Sequence, residues 1–184
     1  PMPLRLHQQL EKRRDGLHCL AVRQEAQTAV QAGKPDEAIR LLEALKLWEQ
    51  APDFPERGVT LVIAGEAAFM QGQRFLGRLQ RLASSLRRTR VVFPGYAAGA
   101  RKQALFKSAD LYVFPSRHES YGLTMLEAMK AGLPVLATAT HGASDVFQPA
   151  FGELVFGPDQ SGVPERLLSG LRRLLASPED LKSK

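Results

Sequence analysis

The stretch "DLYVFPSRHESYGLTMLEAMKAGLPVLATA" (residues 110–139) decides the fold. It opens on a short apolar run, "DLYVFPS", whose β-branched and aromatic residues predict a buried strand. The spacing of apolar residues then predicts a helix over residues 121–131, which Gly132 and Pro134 end. A second apolar run, "PVLATA", follows directly. Strand, helix and strand in this order predict one unit of a parallel sheet.

The same alternation continues on both sides of this stretch. Further strands are predicted at "VTLVIAG" (59–65), "RVVFPG" (90–95) and "GELVF" (152–156), with helices at 75–86, 101–109 and 164–176. Because the strands are apolar throughout rather than alternating, we predict an α/β fold, a Rossmann-like parallel sheet with helices on both faces. Ligands of such sheets bind beyond the carboxyl ends of the strands, in the loops that follow residues 65, 95, 116 and 138.

The first 57 residues allow two interpretations. A helix at the start, a first strand at "LHCLAV" (17–22) and a helix at 35–50 would lead into a core domain over residues 58–184. Alternatively, residues 21–52 form a helical hairpin of the tetratricopeptide type, although one such repeat cannot bury its apolar face without neighbours. We favour the strand, because the sheet otherwise lacks a partner strand.

Composition limits the class of protein. Hydrophobic residues make up 44% of the 184 residues and charged residues 24%, as is ordinary for a globular chain. The single cysteine, Cys19, excludes an internal disulfide framework. The sequence contains no apolar run of bilayer length and no secretory signal at its start, so we predict a cytoplasmic location.

The net charge of +6 predicts attraction to anions. Its densest patch is "LRRTR" (86–90), which is either a solvated helix end or a peripheral contact with an anionic membrane. No aromatic residues alternate with this patch, so a base-stacking surface for nucleic acid is not expected.

The start of the helix at 121–131 has the character of an anion site. If Ser120 caps the helix, the N–H groups of Tyr121, Gly122 and Leu123 lie in the first turn without intrahelical partners. These groups and the helix dipole attract an anion, and Gly122 lets a phosphate approach the backbone without meeting a Cβ.

Two carboxylates flank this predicted anion site. Glu127 lies four residues after Leu123, and its side chain leans back toward the helix start, where it can accept hydrogen bonds from a vicinal diol. Glu119 lies in the preceding loop and could hold the hydroxyls of a second sugar. This order suggests ribose, diphosphate and sugar, hence a nucleotide-sugar. The alternative is a surface pair of Glu127 with Lys130 and a loop glutamate without function.

These residues resemble the retaining glycosyltransferases of family 4 (group 1), in particular the nucleotide-binding half of their two-domain GT-B fold. Residues 109–147 resemble the longest signature of the family, and Glu119 with Glu127 matches its E-x7-E motif. "LVIAGE", "VVFPGY" and "GELVFGPDQ" are similar to the neighbouring strands. The resemblance implies that Glu119 binds the donor sugar, that residues 121–123 bind the diphosphate, and that Glu127 binds the ribose.

Further roles follow from the same resemblance. Tyr96 is either a contact of the base or a packed aromatic residue at a strand end. His141 and Gly142, in a predicted loop at 140–144, should border the donor sugar. The family carries an arginine and a lysine that neutralise the diphosphate, and the candidates here are Arg23 and Lys34, separated by an insertion-like segment.

The resemblance predicts the donor-binding domain of a retaining glycosyltransferase, with a nucleotide-diphosphate sugar as donor and an unknown acceptor. No cofactor, no metal and no general base are expected. The acceptor-binding domain of a GT-B enzyme is absent from this chain, so transfer by the chain alone should be poor. Alternatives are a non-catalytic sugar-nucleotide-binding module, one subunit of a split enzyme and, less favoured, a GT-B-like epimerase.

Overall fold

The computed structural model describes residues 18–23, 36–65, 70–116, 122–147, 150, 152–155 and 162–176. Within these ranges the strands are β1 (His18–Arg23), β2 (Val59–Ala64), β3 (Thr89–Gly95), β4 (Leu111–Phe114), β5 (Val135–Thr138) and β6 (Gly152–Val155). The helices in the same ranges are α1 (Asp36–Glu49), α2 (Met70–Ser85), α3 (Gly99–Ser108), α4 (Leu123–Lys130), α5 (His141–Val146) and α6 (Val163–Ala176).

The strands form one sheet in the order β3-β2-β1-β4-β5-β6. All neighbouring strands are parallel. The prediction of an α/β fold with a parallel sheet is confirmed. A helical hairpin over residues 21–52 is excluded because Ala21, Val22 and Arg23 belong to β1. Since β1 lies in the middle of the sheet, residues on both sides of position 57 belong to one domain.

Helices cover both faces of the sheet because each has one apolar side. On one face, α1, α2 and α6 enclose a core with the sheet, and the buried residues of α1 recur at helical spacing at Leu41, Leu45 and Trp48. On the other face, α3, α4 and α5 pack on β4 and β5 around the buried Tyr112 and Met125. The burial of continuous apolar strands between the two helical layers produces the fold that the sequence predicts.

Close contact of α6 with the sheet depends on a glycine. A Cβ added at Gly170 would lie 2.5 Å from Cδ1 of Leu136 in β5. The helix interior ordinarily disfavours glycine, but a larger residue at this position would require the Leu136 side chain to move.

Glu49, at the end of α1, connects that helix to the turn before β3. Its Oε2 accepts a hydrogen bond from the backbone N–H of Arg87 and its Oε1 one from that of Arg88, both at 2.9 Å. Partial burial by itself raises the pKa of the Glu49 carboxyl, but the hydrogen-bond donors of Arg87, Thr89 and Arg88 favour its charged form, outweigh burial and lower the pKa below its usual value.

Glu49→Gln is expected to lower the free energy of unfolding by about 1 kcal/mol at pH 7, because an NH2 group, which cannot accept, replaces one carboxylate oxygen and the other oxygen loses its charge. The carboxyl pKa is lower in the folded state than in the unfolded state, where it is about 4.3. Its stabilisation is therefore complete above that pH and is lost as the pH falls through the folded-state pKa. Urea unfolding at several pH values should show a shallower acid decline in Glu49→Gln than in the wild type. Glu43→Gln, exposed on the same helix, is the control; an identical decline in all three proteins would contradict the prediction.

Candidate functional site

The strand order reverses between β1 and β4, which places a crevice at their carboxyl ends. From β1 the chain proceeds to β2 on one side, and from β4 it proceeds to β5 on the other. The connections therefore leave in opposite directions and open a gap between them. Arg23 is the last residue of β1, and α4 begins after the loop that follows β4. Both lie at this edge of the sheet.

The N-terminus of α4 begins later than the sequence suggested. Its N-cap is Gly122, with φ of 59° and ψ of 34°, and the first helical residue is Leu123. The prediction that Ser120 caps the helix is wrong, because the left-handed backbone of Gly122 interrupts the helix there. The carbonyl of Gly122 accepts from the N–H groups of Met125 and Leu126, at 2.9 and 3.1 Å.

The position of Gly122 favours glycine because of its backbone conformation and its close neighbours. Its positive φ favours glycine, and a Cβ at this position would lie 3.3 Å from Cε of Met125 and 3.8 Å from the carbonyl oxygen of Gly142. The starts of α4 and α5 therefore lie side by side. Of the predicted site residues, Gly122 and Gly142 come together in the structure, and both are buried.

The first turn of α4 is bonded to the sheet through a buried side chain. Thr124 is buried, and its hydroxyl accepts a hydrogen bond of 3.1 Å from the hydroxyl of Tyr112 in β4. Leu123, on the outer side of the same turn, has 66% of its surface exposed. The turn is thus anchored to the sheet on one side and open on the other.

The segment at 140–144 was predicted as a loop, but residues 141–144 belong to helix α5. Thr140 is the N-cap of α5, and its side-chain oxygen accepts from the N–H of Ala143 at 3.2 Å. A threonine is among the preferred N-cap residues, so the sequence carries a helix-start signal at Thr140. His141 is the first residue of α5, and its side chain lies outside the described part of the chain.

Glu127 has a partner that the sequence did not suggest. Its Oε1 accepts from Nζ of Lys102 in α3, across 25 positions of the chain, rather than pairing with Lys130. The side chain of Lys102 is 19% exposed and that of Glu127 is 37% exposed. The other carboxylate oxygen, Oε2, is buried and has no hydrogen-bond partner among the described residues. Glu127 therefore has a fixed orientation and acceptor capacity that is not used.

Tyr96 follows β3 at the same edge of the sheet. Its side chain is 58% exposed, so the alternative of a packed aromatic residue is wrong. Its backbone is fixed, because Arg101 of α3 donates from Nη1 to the carbonyl of Tyr96 at 3.3 Å and from Nη2 to that of Pro94 at 2.6 Å. The ring of Tyr96 is available to a ligand at this edge.

Four of the predicted site residues lie wholly or partly outside the described part of the chain. Lys34, Glu119 and Tyr121 lie outside the described residues, and of Arg23 only the backbone is described. Within the described ranges, no group of three or more His, Cys, Asp or Glu side chains is placed to hold a metal ion. None of the helices in those ranges is both long and apolar enough to span a bilayer.

Solved structures with the same fold include glycosyltransferases. The crystal structure of Anabaena HepE in complex with UDP-glucose matches 97% of this chain and 45% of its own, with a TM-score of 0.64 and 20% identity. The C-terminal domain of LpcC, a glycosyl transferase group 1 family protein of Francisella tularensis, matches 96% of this chain and 85% of its own, with a TM-score of 0.65 and 22% identity. The fold is that of one half of GT-B.

Sequence comparison gives the family. A D-inositol 3-phosphate glycosyltransferase of Salinispora arenicola is 37% identical over 150 residues, which cover 77% of this chain and 32% of that protein. Matched segments span between 16% and 32% of the curated relatives compared. The model of the family "Glycosyl transferases group 1" matches residues 34–183, most of the chain. The protein therefore belongs to the group 1 glycosyl transferases.

Proposed function

We propose that this chain is the donor-binding domain of a retaining glycosyltransferase of family 4, and that a nucleoside-diphosphate sugar binds in the crevice between β1 and β4. The observation that carries the proposal is the start of α4: a left-handed glycine, an anchored first turn and an oriented carboxylate one turn later, all at the point where the strand order reverses. Parallel sheets bind nucleotides at such points.

The diphosphate is proposed to bind at the first turn of α4. The N–H groups of a first turn have no intrahelical partners, and the helix dipole favours negative charge there. Gly122 and Leu123 supply this backbone, and Tyr121 precedes it. Arg23, at the carboxyl end of β1, and Lys34 are the candidate cations. Cations at this position would stabilise the charge that develops on the departing diphosphate.

The rest of the donor is proposed to extend to both sides of the diphosphate. Glu127 accepts hydrogen bonds from the ribose hydroxyls, and the exposed ring of Tyr96 contacts the base. Glu119 binds the donor sugar, which His141 and Gly142 border at the start of α5.

The proposed reaction breaks the bond between the anomeric carbon and the diphosphate oxygen. The acceptor hydroxyl attacks the anomeric carbon on the face from which the diphosphate leaves, and its proton passes to the departing phosphate. The configuration at the anomeric carbon is thereby retained. No residue of this chain is required as a general base, and the chain's task is to hold the donor and stabilise the leaving group.

Thermal unfolding with UDP-, GDP- and ADP-sugars tests donor binding. A donor at 100 times its dissociation constant is expected to raise the midpoint by about 5–10 °C for a chain of this length. Absence of a shift with all three series would overturn the proposal.

Donor hydrolysis and transfer, assayed with the chain alone and with an added acceptor-type domain, separate an enzyme from its alternatives. Product formation supports a transferase. Donor binding without product under both conditions would instead favour a non-catalytic sugar-nucleotide-binding module. A cytoplasmic location stays a prediction. Contact with an anionic membrane through residues 86–90 is a separate prediction, which sedimentation with anionic vesicles tests.

EDTA is expected to leave donor affinity unchanged. Backbone N–H groups and cationic side chains, rather than a carboxylate pair with a bound metal ion, are proposed to balance the diphosphate charge. Calorimetric titration of the donor with EDTA, and then with added Mg²⁺, measures this. Loss of affinity in EDTA that Mg²⁺ restores would show that a metal ion takes part.

A further inference from the structure

We propose that Lys102 is a positioning residue for the ribose of the donor: it orients the Glu127 carboxylate and thereby sets discrimination between ribonucleotides and deoxyribonucleotides. The inference rests on the proposed role of Glu127 in binding the ribose. Lys102 lies on α3 and Glu127 on α4, so their contact connects two helices that follow different strands of the sheet.

The contact fixes one side of the carboxylate. Nζ of Lys102 donates to Oε1 of Glu127, and the lysine side chain is only 19% exposed. A glutamate on a helix surface ordinarily samples several rotamers, whereas a charge-assisted hydrogen bond to a largely buried ammonium selects one. A carboxylate has about four acceptor positions, and the lysine occupies one of them. A second position on Oε1 remains for a hydroxyl of the ligand, whereas Oε2 is buried.

A second contact extends this arrangement toward the base. Arg101, the neighbour of Lys102 in the first turns of α3, donates to the carbonyls of Pro94 and Tyr96. The start of α3 therefore holds the loop that carries Tyr96 and, one residue later, the carboxylate of Glu127. Helix α3 therefore holds both the residue proposed to contact the base, Tyr96, and the residue proposed to contact the ribose, Glu127.

Loss of the contact between Lys102 and Glu127 is expected to change ligand affinity rather than the stability of the fold. Partly exposed ion pairs contribute little to the stability of a domain. Orientation of a carboxylate, in contrast, determines whether a planar pair of hydroxyls meets its acceptor positions. A variant without Lys102 should fold and should bind the phosphates and the base, but it should distinguish ribose from deoxyribose poorly.

The test is calorimetric titration of the full chain with a ribonucleoside diphosphate and its 2′-deoxy analogue, using the base that stabilises the wild type most. Lys102→Met is expected to weaken ribonucleotide binding about tenfold, the size of one charge-assisted hydrogen bond, while affinity for the deoxy analogue stays within about twofold. Lys102→Arg, which retains a donor, should restore most of the discrimination. Lys107→Met, an exposed lysine on the same helix, should change neither affinity.

The outcomes separate the two proposals. If the wild type binds no nucleotide, or binds ribo and deoxy forms equally, the ribose role of Glu127 fails and the role of Lys102 fails with it. If the wild type discriminates and Lys102→Met either discriminates equally well or loses both affinities in proportion, only the role of Lys102 is overturned. The unfolding midpoint of each variant shows whether it is folded under the conditions of the titration.

Discussion

Glu127→Ala is expected to weaken donor binding by about 10- to 100-fold, the loss of about 1.5–3 kcal/mol from hydrogen bonds to a charged acceptor. The alanine removes the carboxylate whose Oε1 is held by Lys102 and whose Oε2 has no partner among the described residues. The ribose hydroxyls would then face no acceptor. The donor is titrated calorimetrically into wild type and variant, with the nucleotide sugar that stabilises the wild type most.

The control for this experiment is Glu165→Ala. Glu165 is an exposed carboxylate in the first turn of α6, on the opposite face of the sheet from α4. Its removal should leave donor affinity unchanged. Equal affinity of Glu127→Ala and the wild type, with both folded, would remove Glu127 from the binding site.

Gly152→Ala is expected to cost about 3 kcal/mol of unfolding free energy or more, which is large for an alanine substitution. Gly152 begins β6 opposite Val135 of β5. A Cβ at this position would lie 1.9 Å from the carbonyl oxygen of Val135 and 2.8 Å from its carbonyl carbon and its nitrogen. Its φ of 148° is also a backbone conformation that residues with a side chain rarely adopt. The pairing of β6 with β5 therefore cannot persist without a shift of the strand.

Gly132→Ala separates the cost of the steric clash from the cost of the unfavourable φ. Gly132 has a φ of 74°, but a Cβ there would meet no atom within 4 Å. Its replacement should cost only the strain of a left-handed residue, about 1–2 kcal/mol. Urea unfolding of both variants measures the difference, and equal losses would mean that the contact with Val135 is relieved at little cost.

The sheet could be predicted from sequence because its strands are continuous apolar runs. Each run from "VTLVIAG" to "GELVF" became a strand, with bounds that moved by one or two residues. The first strand was harder, since "LHCLAV" is short and lies near a segment with helical spacing. This strand lies in the middle of the sheet because it pairs with β2 and β4. Pairing between strands distant in sequence cannot be read from a local pattern.

The site was predicted less completely, for physical reasons that differ by residue. Ser120 and Gly122 both precede Leu123 in the sequence, and the usual preference for serine as a cap gave the wrong residue. Thr140, the N-cap of α5, is a residue type that signals a helix start in sequence. The contact of Lys102 with Glu127 joins two helices, and spacing along one sequence gives no indication of such a contact. The roles of Glu119, Tyr121 and Lys34 stay predictions.

The short pairing between β1 and β4 has a consequence for the order in which the sheet folds. β1 pairs with β2 at six positions, but with β4 at only two, Leu20 with Leu111 and Ala21 with Tyr112. As the chain leaves the ribosome, β1, β2 and β3 are complete before β4 exists, and β4 must then cross from the end of β3 at Gly95 to the far side of β1. We expect the two half-sheets to assemble separately and to dock last, along a short ladder. A bound molecule that contacts both half-sheets would stabilise the docked state and slow its unfolding.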